Sequence, residues 1–250
     1  MPTTPTASEL NLLLASWELS LRAERKSQQT LKVYGDGVRS YLKWADHNGH
    51  QPDLSRGQVR AFVDTLLADG AAASTARSRQ LSVRRFSAWL AEENEIENDQ
   101  LIGMKPPKLD QPLIEPLTDD DLRALVKACG GTDMRDRRDE AIIRLMAETG
   151  TRAGEVVALS LSDVDLTRSA AVVRRGKGGK GRLVPFGPQT AMALDRYIRA
   201  RRTHRLAGTE ALWLGDRGKQ FGYDALHRTL RMRASTAGRM CSSGFRTLGR

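Results

Sequence analysis

Residues 148–159, ETGTRAGEVVAL, close one helical pattern and open another within a few positions. Thr149-Gly150 is a break signal, because glycine enters the left-handed region that ends a helix without steric penalty. The following run puts Val156 and Leu159 on one buried face, with Glu155 three residues after Arg152. Arg152 thus stands where backbone N–H groups and a positive dipole end are expected, and a planar guanidinium there suits a phosphate. An ordinary i,i+3 ion pair on a surface helix accounts equally well for Arg152 and Glu155 taken alone.

Further along the chain, residues 172–187 read VVRRGKGGKGRLVPFG. The β-rich runs SAAVVRR and RLVPF flank GKGGKG, which predicts a hairpin with Lys177 and Lys180 on its glycine-rich turn and Arg182 opening the return strand. A lysine on such a turn reaches into a groove, or donates a proton to a leaving oxygen if its pKa is pulled down. A nucleotide-binding P-loop does not fit: there is no G-x-x-x-x-G-K-[ST] match, and the segment runs strand to strand. A plain basic hairpin tip stays open as the alternative.

Before the Arg152 box the pattern is helical. ASELNLLLASWELSLRAE carries Leu10, Leu13, Leu14, Trp17 and Leu21 as a stripe, after an opening MPTTPTAS that reads as a frayed tail. TLKVYGDGVRSYLKWADHNG follows with Leu31, Tyr34, Val38, Tyr41, Leu42 and Ala45, and stops at Gly49. Ser55 and Gln58 form a capping box before VRAFVDTLLADG, and STARSRQLSVRRFSAWLAEEN has Leu81, Val83, Phe86, Trp89 and Leu90 as its apolar side. Four such helices make a bundle, expected over 1–105. The proline-rich IENDQLIGMKPPKLDQPLIEPL reads as an interdomain connection, with the linker proper at 106–117 and a second domain over 118–250. There, Thr118 with Asp121 caps DDDLRALVKAC; RDRRDEAIIRLMAET is helical; Pro188 starts QTAMALDRYIRARRTH; and YDALHRTLRMRASTAG ends at Gly238. The fold expected is mainly α with a small β-hairpin or sheet (α+β).

Net charge is +10, and all of it lies in the second half: residues 1–110 hold 14 Lys/Arg and 14 Asp/Glu, residues 111–250 hold 26 and 16. A basic, arginine-rich half points to a polyanionic partner, double-stranded DNA above all, against the blander reading of a solubilising surface. No run approaches the roughly 20 apolar residues of a membrane span, and no charged-then-apolar leader opens the chain, so no membrane partner is expected. Cys129 and Cys241 stand far apart without other ligand-type residues at metal spacing, and read as small hydrophobes in a reducing cytoplasm.

Together, TGTRAGEVVALSLSDVDL, the VVRRGKGGKGRLVPFG hairpin and the preceding helical bundle resemble the tyrosine recombinases, also called phage-type integrases. The resemblance implies that Arg152 is the first of two active-site arginines, Glu155 the supporting acid and Lys177 the hairpin lysine. It implies DNA cleavage by a tyrosine, through a 3′-phosphotyrosyl link and a freed 5′-hydroxyl, with neither metal nor nucleotide cofactor. Guanidinium forks then stabilise charge building on the nonbridging oxygens more in the transition state than in the ground state. The bundle resembles the family's core-binding (SAM-like) domain, which clamps the duplex. Lys32, Arg77, Arg79 and Arg84 are its candidate phosphate contacts, because residues 71–91 hold no acid; Lys180 and Arg182 are the second domain's.

The family's second box, a His-x-x-Arg followed by the tyrosine, is expected near residue 247 and is not there. HRTLR at 227–231 falls inside the preceding helix, and Thr247 stands where a histidine would precede Arg250. None of Tyr34, Tyr41, Tyr197 and Tyr223 occupies the nucleophile's place. The sequence therefore predicts a C-terminally truncated, catalytically defective DNA-binding member of the family, ended by a premature stop or frameshift. The expected partners are DNA, further copies of the chain on DNA, or an intact recombinase with which it competes. A decayed gene product with exposed apolar surface is the remaining alternative.

Overall fold

Left-handed residues punctuate the first half of the chain. The computed structural model describes residues 5–109, 116–174, 176, 181–216 and 218–238. Helices α1 (Ala7–Ala23), α2 (Gln28–His47), α3 (Arg56–Ala68) and α4 (Ala73–Glu92) each run into a residue of positive φ: Arg25, Gly49, Gly70 and Asn94. Backbone N–H groups just beyond fold back to the last turn, as in Lys26 N to Leu21 O (3.1 Å) and His50 N to Ala45 O (2.8 Å). At the other end of α1, Thr6 and Glu9 form a complete capping box, so the helix is fixed from residue 6 and the expected frayed opening is shorter than MPTTPTAS.

Three details of the bundle differ from the sequence reading. Ser55 accepts from Gln58 N (3.2 Å), but the Gln58 side chain serves Asp53 N and Tyr41 Oη instead of returning to Ser55, so the cap is half a box. In α4 the buried row is Ala76, Gln80, Val83, Phe86 and Leu90, leaving Leu81 39% exposed, because Gly37 on α2 brings the helices together at Ser82. And Leu101 and Met104, within the proline-bearing connection, are buried in the bundle's core beside Trp17, Tyr41, Phe62 and Phe86.

The chain divides into two compact units, Met1–Pro112 and Leu113–Arg250. The second begins at α5 (Asp119–Lys127), capped by the full Thr118–Asp121 box, then α6 (Met134–Thr149) and the short α7 (Ala153–Val157). A 3-10 turn (Leu161–Asp163) leads into β1 (Val164–Asp165), a strand the sequence reading missed because two residues carry no alternation. The predicted hairpin is present: β2 (Ala170–Val173) and β3 (Arg182–Pro185) pair antiparallel, Ala171 opposite Val184 and Val173 opposite Arg182, giving the sheet order β1-β2-β3. Helices α8 (Pro188–Arg201) and α9 (Tyr223–Thr236) close the described part.

The core of this unit gathers α5, α6, the sheet, α8 and α9 around Ile142, Ile143, Leu145, Tyr197 and Trp213. A buried ionic cluster crosses it. Asp139, wholly buried, accepts from Arg138 Nε and Nη2 (3.0 and 2.8 Å) on one oxygen and from Arg233 Nε and Nη2 (2.9 and 2.7 Å) on the other. Arg138 also reaches Leu214 O and Asp216, and Arg233 reaches Ala128 O and Asp136. Several of the cations expected to meet a polyanion therefore serve the fold. Arg201 is another, buried with its guanidinium donating to the carbonyls of Ala207, Thr209, Ala211 and Leu212.

Candidate functional site

Helix α6 ends at Gly150, whose φ of 61° turns the chain so that Thr151 is buried and Arg152 extends as the N-cap of α7. Thr149 Oγ1 accepts Thr151 N (3.3 Å) and meets Thr151 Oγ1 at 2.9 Å, fixing the turn with side-chain hydroxyls. Glu155 reaches back to the N-cap: its Oε2 accepts Arg152 N at 2.9 Å, and its Oε1 takes Arg152 Nη1 at 3.3 Å. Trp213 holds α7 from behind, its ring buried and stacked on Tyr197 (centroids 5.3 Å apart), its Nε1 donating to Val156 O at 2.7 Å.

The third member of this group is Arg182, which the sequence offered only as a candidate phosphate contact. Arg182 donates from Nη1 and Nη2 to Glu155 Oε1 and Oε2 (2.9 and 2.7 Å), a two-pronged fork on one carboxylate. The signal was in the alternation: Arg182 and Val184 share the inward face of β3, while Leu183 between them is 65% exposed. Glu155 is 6% exposed at its side chain, against 39% for Arg152 and 36% for Arg182. The Arg182 guanidinium holds the Glu155 carboxyl down at about 2, outweighing burial, with the Arg152 N–H adding to the effect. The result is one ionised carboxylate between two guanidiniums, a site of net positive charge. Among the described residues, Arg152 Nε and Nη2 have no hydrogen-bond partner, and the side chain is 39% exposed.

The other candidates scatter. Lys177 and Lys180 lie outside the described residues, so the structure bears only on the base of their hairpin, which Arg182 ties to Glu155. In the bundle, Lys32 and Arg77 are exposed on α2 and α4, whereas Arg79 donates to Asp36 O across the α2–α4 contact and Arg84 is half-buried with a buried Nε that makes no hydrogen bond. Of the tyrosines, Tyr41 and Tyr197 are fully buried and burial pushes both phenols up, so neither supplies a phenolate readily. Tyr34 stacks on Trp17, and Tyr223, at the start of α9, is 59% exposed. Cys129 is a buried thiol pushed up to about 12 by burial, as a small core hydrophobe should be. No described helix is long and apolar enough to cross a membrane.

This arrangement, a helical domain followed by a mainly helical one with an arginine box and a β-hairpin, has close parallels. Residues 14–94 match the model of the phage integrase N-terminal SAM-like domain and residues 115–247 that of the phage integrase family. The chain belongs to the phage integrase family. It is 35% identical to tyrosine recombinase XerC of Chromobacterium violaceum over 72% of its own length and 59% of that protein. With tyrosine recombinase XerD of Mycobacterium tuberculosis it shares 33% identity over 84% of its length and 72% of the relative's. The chain thus spans under two thirds of the former protein and somewhat more of the latter. In fold it resembles a lambda integrase dimer bound to a COC′ core site (TM-score 0.66, 16% identity, 91% of this chain and 78% of that one). It is similar also to XerH site-specific recombinase bound to difH substrate (TM-score 0.65, 14% identity, 98% and 73%).

Proposed function

We propose that this chain binds double-stranded DNA as a member of the tyrosine class of site-specific recombinases, with Arg152 gripping the phosphodiester that complete members of the class cut. The observation that carries the reading is the pair of Arg152 donors left open beside an ionised, fork-bound Glu155. A guanidinium held in that way supplies preorganised positive charge where the nonbridging oxygens become more negative, in a setting that needs little rearrangement. Lys177 stands at the position whose lysine protonates the departing 5′-oxygen in complete members, and Lys180 joins the phosphate contacts. The first unit is the core-binding domain, with the exposed Lys32 and Arg77 toward the backbone of the duplex, whereas Arg79 is engaged by Asp36 O and Arg84 is half-buried. The protein works in the cytoplasm, as copies assembled on DNA.

None of the four tyrosines within these 250 residues stands in the family's nucleophile position, so the 250 residues by themselves bind a recombination site without cutting it. Two measurements test this. Selection from a random-sequence duplex library should enrich one site that the chain retains over scrambled competitor at moderate salt; sequence-blind, salt-steep binding alone sinks the recombinase reading. A nicked suicide duplex carrying the enriched site should give no covalent adduct. An adduct would place a competent tyrosine within the chain. Arg152→Gln should weaken the enriched duplex about tenfold and lower the salt slope by roughly one.

A further inference from the structure

We propose that Arg182 is a positioning residue for Arg152: it acts through Glu155 and is not itself a ligand of the phosphate. The inference rests on the reading of Arg152 just given and assigns the hairpin a part in it. Strand register puts Arg182 opposite Val173, which is buried, and on the same face as buried Val184, so its side chain is directed under the sheet toward α7. There both terminal nitrogens are engaged by the two oxygens of one carboxylate.

The geometry is unequal in an informative way. Arg152 holds Glu155 by one side-chain contact of 3.3 Å, whereas Arg182 holds it by two, at 2.9 and 2.7 Å. A carboxylate fixed by a planar fork cannot rotate about its own axis, so the direction of Oε1 is set by Arg182. That same Oε1 accepts from Arg152 Nη1. Take Arg182 away, and a nearly buried carboxylate keeps one long side-chain contact and one backbone N–H, free to pull the Arg152 fork inward. Because Arg182 opens β3, the strand that follows the lysine-bearing turn, the same ion pair ties the hairpin to the Arg152 box. A lysine cannot substitute, since an ammonium is a point charge without the fork.

The test uses the full chain and side-chain NMR of the arginine Nε–Hε groups, with the Arg152 signal assigned by its loss in Arg152→Lys. In Arg182→Gln the Arg152 signal should move away from that of a free arginine as the released carboxylate draws the guanidinium inward, and the Glu155 carboxyl, followed by its own titration, should rise from about 2 toward the ordinary 4.5. Arg182→Lys, which keeps the charge, should shift both part of the way and should fold even if the glutamine variant does not. On the duplex enriched by selection, Arg182→Gln should weaken binding roughly three- to tenfold, and Arg182→Gln with Glu155→Gln should bind no worse than Glu155→Gln alone. An Arg152 signal unmoved in both Arg182 variants overturns the proposal. So does a further multiple of affinity lost in the double variant, which would make Arg182 a direct phosphate contact. If no duplex is enriched, the recombinase reading fails while the NMR arms still decide whether Arg182 positions Arg152.

Discussion

Glu155 connects the site to the stability of the second unit. Its folded carboxyl lies at about 2 against 4.5 for an ordinary glutamate, so the unfolded chain binds the proton more tightly. Stability from this group is fully present above about 4.5 and drains away as pH falls through about 2. Glu155→Gln should accordingly cost roughly 1–3 kcal/mol at neutral pH, discounted for two part-exposed guanidiniums, and progressively less below pH 4.5. Denaturant melts of both proteins across that range check it; a penalty independent of pH would separate Glu155 from the arginines. The spacing of Arg152 and Glu155 was legible because a helix enforces i,i+3 contact. Arg182 was legible only as a cation: period-two alternation sets its face, but nothing local in β3 names an acid 27 residues earlier as its partner.

Elements were easier to read than their contacts. Helix starts and stops follow local chemistry, and Thr118–Asp121, Gly49, Pro188 and Gly238 all mark ends where the sequence put them. The row that α4 buries was shifted, since it depends on Gly37 approaching Ser82 across to α2, a contact between residues 45 apart. Likewise, MRDRRDEAIIRLMAET looks like a charged surface at its start, yet Arg138 and Asp139 are among the most buried residues of α6. Charged side chains enter a core only when partners from distant elements meet them, here Arg233 on α9 and Asp216 in the loop before it. Asp139→Ala should therefore destabilise the unit by about 3–5 kcal/mol, because it strands two buried guanidiniums together. A comparable loss is not expected from Asp120→Ala, whose partner Arg123 is exposed. Thermal melts of the two variants side by side distinguish these cases.

At the scale of the molecule, charge and core divide at the same place. One core draws only on residues from Leu10 to Met104 and the other on residues from Leu117 onward. A fragment ending at Pro112 should then fold by itself with a single cooperative transition; a broad, non-cooperative melt would count against an independent first unit. The excess positive charge was visible in composition and pointed to a polyanionic partner, though Arg138, Arg201 and Arg233 proved to be internal struts. Composition counts guanidiniums, and cannot separate one that meets solvent from one that meets carbonyls, as Arg201 does.

Trp213 gives the second unit an optical handle of its own. Trp17, Trp44 and Trp89 all sit in the first unit, so replacing those three with phenylalanine would leave a lone fluorophore whose indole N–H is bonded to the helix that Arg152 caps. Its emission should change when the enriched duplex binds and stay constant with duplex that the chain does not retain, which makes occupancy of the arginine box visible in real time without any attached label.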